Sequence, residues 1–306
     1  MNLRSFPLQP KTETFLGRLN MTPPSSPTIK RRRLAAELRR LRQASKLTID
    51  QVAEALEWSP GKVSKIENAR VSVLPRDARR LLDLYGLQDG PERDLMLALS
   101  REGRERGWWA QYGEAVPEWF VTYVGLESEA ARISAYQSEY VPGLLQTHDY
   151  AVAVSRAALM NVPDGEIEKQ VAVRMERQAR LDGDDAPQLW VVLNEAVIRR
   201  VVGSRSIMQE QLVKLVDASQ QANISLQVLP FSAGAHPAMD SAFRILSFAT
   251  PTDSDIVYLE HPTCSLYLEK PDEVARYVLS FDHLRAVSLS FEESRRLLSR
   301  SAEDLA

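Results

Sequence analysis

The chain of 306 residues has a single cysteine, Cys264, which excludes an intramolecular disulfide and any cysteine-based zinc centre. No apolar run approaches the roughly 18–20 residues needed to span a bilayer, and the N-terminal stretch lacks the apolar core of a signal peptide. Histidines are also few: only His148, His236, His261 and His283 are available for acid/base work or for metal binding. None stands in a metal-ligand spacing, and no serine occupies a G-x-S-x-G elbow. Together these absences predict a soluble protein of the reducing cytoplasm, with no membrane segment, metal, cofactor or catalytic residue.

What the chain does have is segregated charge. The net charge is only -3, but residues 30–80 hold 14 Lys/Arg against 6 Asp/Glu, whereas residues 81–306 hold 21 against 34. A basic head on an acidic body predicts that the head alone meets a polyanion. Length and composition predict two domains of unequal size.

Residues 1–29 carry five prolines and no apolar periodicity and are predicted to form a disordered arm, with Met21 a candidate true start. Residues 30–103 read as five short helices. Leu34, Leu38 and Leu41 form an i, i+4, i+7 stripe among arginines. Thr48 caps a second helix with Val52, Ala53 and Leu56 inward, and Glu57-Trp58 makes the turn. Ser59 caps a third helix that has Pro60 at its first position, where a missing N–H costs nothing. Val63 and Ile66 point inward there, so Gly61, Lys62, Ser64 and Lys65 point outward. A fourth helix runs from Pro75 to Gly86, and a fifth from Pro91 to about Arg101 with Leu95, Leu97 and Leu99 inward.

Residues 104–306 are predicted to form a larger α+β domain with a mixed sheet flanked by helices. It opens on an aromatic cluster containing Trp108, Trp109, Tyr112, Trp119, Phe120 and Tyr123, more consistent with a packing seam than with a ligand cage. Helices are predicted over residues 127–140, 145–160 and 164–181. Strands follow at 189–193, 224–229, 243–248, 256–260 and 265–268, with a helix at 206–222 between the first two and two closing helices at 271–286 and 291–302.

Two short helices with an outward face of small and basic residues have the chemistry of a helix-turn-helix reading the DNA major groove, where bulk at the helix start would hold the backbone off the base edges. Gly61, Lys62, Ser64 and Lys65 are the candidate base contacts. Arg31, Arg32, Arg33, Arg42, Lys46, Thr48, Ser59, Arg70 and Arg76 are the candidate phosphate contacts, which supply affinity without sequence information. In the larger domain Trp108, Trp109, His236 and Asp240 are candidate contacts for a ligand or partner. A structural loop at His236-Pro237-Ala238-Met239-Asp240 is the competing reading.

The pattern Thr48, Val52-Ala53, Ser59, Val63-Ser64-Lys65-Ile66-Glu67-Asn68 and Pro75 resembles the Cro/CI-like (XRE) helix-turn-helix regulators. It departs from them at Ile49, where a DNA-contacting Gln is usual, at Glu57, where the turn usually has Gly, and at Pro60-Gly61. Gly107-Trp108-Trp109, Pro117-Glu118-Trp119-Phe120, Tyr123-Val124-Gly125-Leu126-Glu127, Val141-Pro142-Gly143-Leu144-Leu145-Gln146-Thr147, Leu226-Gln227-Val228-Leu229-Pro230-Phe231 and Gly234-Ala235-His236-Pro237 are similar to a group of actinobacterial, antitoxin-like regulators. In that group a helix-turn-helix precedes a large domain of unknown function. The resemblance implies a sequence-specific transcriptional regulator bound to double-stranded DNA, and such helix-turn-helix domains usually act as homodimers. It also implies an alternative, an antitoxin-like module that binds a small acidic partner protein encoded nearby and regulates only its own promoter.

Overall fold

The computed structural model describes residues 27–306 except 106, 117, 159–161, 251–252 and 262–263. The expected arm, and Met21 with it, lies outside the described residues up to position 26. Residues 27–29 are not part of an arm: helix α1 (Pro27–Ala44) already begins there, and Ile29 is buried.

Helices α2 (Ile49–Leu56), α3 (Pro60–Glu67), α4 (Pro75–Leu84) and α5 (Pro91–Glu102) come after α1. The amphipathic stripes expected from the sequence close on one another. Leu34, Leu38, Val52, Ala53, Leu56, Val63, Ile66, Ala78, Leu81 and Leu82 make a single core. One expectation fails: Leu95 is exposed, and Met96 takes the core position instead. Leu95, Leu97 and Leu99 recur every second residue, a spacing that cannot share one face of a helix, whereas Met96 and Leu99 at i, i+3 can.

The larger part of the chain contains α6 (Glu118–Glu127), β1 (Ala130–Gln137), α7 (His148–Ala158), α8 (Asp164–Gln178), β2 (Gln188–Asn194), α9 (Glu195–Arg199), α10 (Arg205–Ala218) and β3 (Ile224–Leu229). It continues with β4 (Phe243–Phe248), β5 (Ile256–His261), β6 (Cys264–Leu268), α11 (Pro271–Val287) and α12 (Phe291–Glu303). The strands form one sheet in the order β3-β2-β1-β4-β5-β6, parallel from β1 to β3 and antiparallel from β4 to β6. This is the α+β architecture expected of residues 104–306, a mixed sheet with helices on its faces.

The helix expected over residues 127–140 is a correction. That stretch ends α6 and then supplies β1, which lies between β2 and β4. Its alanines, serines and glutamates favour no strand in isolation. In the sheet, Ile133 and Ala135 fill one core and Tyr136 the other, and burial on both faces outweighs local propensity. Alternation continues across the sheet. Val191, Val228, Leu246 and Tyr258 lie on the first face, with α7, α10 and α12, and Val192, Phe243, Ile245 and Val257 lie on the second, under α11.

The two parts meet along α1. Ile29 packs in the core of the larger part, and a Cβ on Gly125 of α6 would stand 2.2 Å from Thr28 Oγ1. Glycine is therefore required at 125 for the two helices to approach.

Candidate nucleic-acid interface

The turn between α2 and α3 is built from side-chain caps. Thr48 and Gln51 form a reciprocal capping box: the Gln51 amide N–H donates to Thr48 Oγ1 at 3.2 Å and the Thr48 N–H donates to Gln51 Oε1 at 2.8 Å. Glu57 ends α2 in the left-handed region at φ 57°, ψ 42°, a conformation that glycine adopts most readily. Ser59 Oγ then accepts from the Lys62 amide at 3.2 Å. Helix α3 thus leaves the turn with its start held and its Val63 and Ile66 side buried.

Of the expected base contacts, Gly61 and Lys65 are exposed and Ser64 is half-buried. A Cβ built on Gly61 meets nothing within 4 Å, so the backbone there is open to an approaching surface. Lys65 makes no ion pair or side-chain hydrogen bond among the described residues. Ser64 is oriented by Asn68, whose Nδ2 donates to the Ser64 carbonyl at 2.8 Å and to Ser64 Oγ at 3.3 Å. The hydroxyl hydrogen of Ser64 stays available as a donor. Lys62 differs: its ammonium donates to Asp77 Oδ2 at 2.8 Å and lies 3.6 Å from the centroid of the Trp58 ring. To touch a base it must leave both, so α3 presents Gly61, Ser64 and Lys65 first.

The phosphate set divides in two. Lys46, Thr48, Ser59, Arg70 and Arg76 are exposed around α2, α3 and the start of α4. Arg31, Arg32, Arg33 and Arg42 are instead each engaged within the protein. Arg42 forms a bidentate pair with Glu67 at 2.7 and 2.9 Å and also donates to the Leu47 carbonyl at 2.7 Å. Hydrogen bonding to Glu67 raises its pKa, and burial of the nearby Tyr85 raises the phenol's. Arg31 donates to the Gly103 carbonyl at 3.4 Å, and burial lowers its pKa. Arg32 reaches Glu269 at 2.8 Å, and Arg33 reaches Asp253 at 2.6 Å and Thr250 at 2.7 Å. An arginine run in sequence says only that charges are close along a helix. Here the helix turns Arg32 and Arg33 toward carboxylates 237 and 220 residues away.

Two contributors were not singled out from the sequence. Trp58 carries Lys62 on its face and Arg80 5.5 Å away, and Asn68 fixes Ser64; the i, i+4 spacing of Ser64 and Asn68 was the available signal. In the larger part, the aromatic stretch is a packing seam. Trp109 is buried with Val116, Val124 and Val173, and Trp108 meets it edge-on at 5.9 Å. The side chain of Trp119 lies outside the described residues. His236 Nδ1 accepts from the Ala238 amide at 3.3 Å, while Nε2 lies 3.4 Å from Tyr136 Oη. Burial, followed by the charge of His283, lowers its pKa. Asp240 is exposed and shares no hydrogen bond with His236 among the described residues, so the structure does not join them into one site.

Residues 120–300 match a family described as Domain of unknown function (DUF5753). The chain belongs to this family. In this DUF5753 member residues 33–96 also match a Helix-turn-helix domain, which covers the capped turn, α3 and its supporting helices. That match points to a DNA-binding module and to a regulator. No curated protein and no solved structure matches the chain. Among the described residues no helix is long and apolar enough to cross a membrane, and no group of acidic, His or Cys side chains has the geometry of a metal site.

Proposed function

We propose that this protein is a sequence-specific transcriptional regulator of the Cro/CI-like (XRE) type, with α3 inserted in the major groove. The observation that carries the reading is the outward face of α3: an unobstructed Gly61, a Ser64 hydroxyl held by Asn68, and an uncommitted Lys65 within an exposed basic ring. Lys65 donates to guanine acceptors, and Lys46, Arg70 and Arg76 hold the phosphates. Two copies bind as a homodimer on half-sites one helical turn apart. The larger part supplies dimerisation and the contact to a partner or effector, and no catalysis belongs to the reading. The protein works in the cytoplasm, where its DNA is.

Binding of the full chain to fragments of its own genome, followed by sequencing, tests this. Many dispersed sites with a shared half-site motif are expected. A single site at its own promoter, with a small acidic protein co-purifying, would establish the antitoxin-like module instead. Lys65→Ala is expected to cost about 1–3 kcal/mol at the operator and to relax one base position. A uniform loss across sequences with a shallower salt dependence would make Lys65 a phosphate contact.

A further inference from the structure

On the first face of the sheet lies a group of cations that DNA binding does not use. Arg174 and Arg177, three apart on α8, share one side of that helix. Arg244 on β4 pairs in register with Ala135 and Tyr258, so it stands on the first face of the sheet. Arg177 is fully compensated: its Nε and NH2 donate to the two oxygens of Glu127 at 2.6 and 2.7 Å, both side chains buried. Arg244 donates to Glu260 at 3.1 Å. The rings of Tyr123 and its neighbours fill the space between, with Arg177 5.4 Å and Arg244 5.3 Å from Tyr123.

Arg174 has no such carboxylate. Among the described residues its one hydrogen bond goes to Gln146 Oε1 at 2.7 Å, and Gln146 is itself fixed by donating to the Val141 carbonyl at 2.6 Å. A guanidinium has five donors, so most of those of Arg174 are unused among the described residues. Lys214 adds a fourth cation, bonded within the same set to the Gln146 carbonyl and Gln178 Oε1. Burial, and after it the charge of Arg177, lowers the pKa of Arg174 to about 10 against the opposing pull of Tyr140 and Glu260, and the group is still charged at neutral pH. Tyr258, completely buried and 4.2 Å from Tyr123, leaves its hydroxyl without a partner among the described residues. Among these residues four cations thus face two carboxylates, with cationic donors in surplus. A half-buried cation that no carboxylate hydrogen-bonds, flanked by like charges, gains from an anion that joins it.

We propose that the cluster around Arg174 binds the oxyanion of a small molecule, a carboxylate or a phosphate group, with Arg174 as its principal donor. Planar two-pronged donation suits both groups. The site stands whether or not α3 reads DNA.

Thermal melting of the full chain in sodium chloride, acetate and inorganic phosphate at equal ionic strength tests the proposal. Acetate or phosphate is expected to raise the melting temperature by about 3 °C or more over chloride, and the anion that does so identifies the group. Lys65→Ala keeps the rise, which separates it from anions held by the helix-turn-helix. Arg174→Met loses the rise yet melts no lower than wild type in chloride, because it removes an uncompensated charge, and Arg174→Lys retains a smaller rise. The proposal is overturned if neither anion outperforms chloride, if Arg174→Met keeps the response, or if Arg174→Met cannot fold.

Discussion

Arg42 shows how a single side chain changes meaning between sequence and structure. As a basic residue in a basic helix it belongs with the phosphate contacts, but its pair with Glu67, at side-chain exposures of 12% and 4%, makes it the strut between α1 and α3. Removing one member of a buried pair leaves the other uncompensated, at a cost of about 3 kcal/mol or more. Arg42→Met is therefore expected to lower stability by about that amount in urea unfolding. Below its melting temperature the variant should bind DNA with an unchanged log–log salt slope. A slope shallower by about 0.9 would return Arg42 to the phosphate contacts. His236 gives a prediction of the opposite kind. Its pKa is lowered in the folded state, so the unfolded chain binds the proton more tightly. Stability is then full above the unfolded value of roughly 6.5 and falls as the pH drops through it. His236→Gln should flatten that part of the stability curve; an unaltered acid slope would show that other groups govern it.

At the scale of elements, the helix-turn-helix was legible because its signals are local. Caps at Thr48 and Ser59, the proline at Pro60 and the apolar stripes of α1 to α4 each act within one or two turns, and the structure returns all of them. The departure at Glu57 has a physical counterpart, a left-handed residue that is not glycine. Such a conformation costs an L-residue about 1 kcal/mol, so Glu57→Gly should slow amide exchange in α2 and α3 about fivefold. Exchange that is unchanged or faster would mean that Glu57 contributes something offsetting its backbone cost. The strand β1 was illegible for the converse reason. A residue stretch such as Ala130–Gln137 becomes a strand only through its register with β2 and β4, contributed by residues far along the chain.

At the scale of the molecule, α1 belongs to two bodies at once. Its middle builds the helical core and its first turn enters the core beneath the sheet. Arg32 and Arg33 then tie it to Glu269 and Asp253. This is a direct mechanical link between the helices that carry α3 and the sheet. Releasing it with Asp253→Asn and Glu269→Gln together is expected to speed amide exchange over residues 27–35 about fivefold, equivalent to ~1 kcal/mol. No change would assign the attachment to Ile29 and the Thr28–Gly125 contact alone.

The sequence by itself determined the five-helix module, the face of α3 that looks outward and the mixed character of the larger domain, because caps, stripes and alternation are short-range. It also separated a basic head from an acidic body. Only the tertiary structure decided which basic residues remain free. Arg32, Arg33 and Arg42 are neutralised by carboxylates that chain folding brings from afar, whereas Lys65 stays uncommitted and Arg174 is enclosed beside other cations. Charge along a chain is a sum over residues, but its availability to DNA or to an anion depends on neighbours in space, and those neighbours are set by packing.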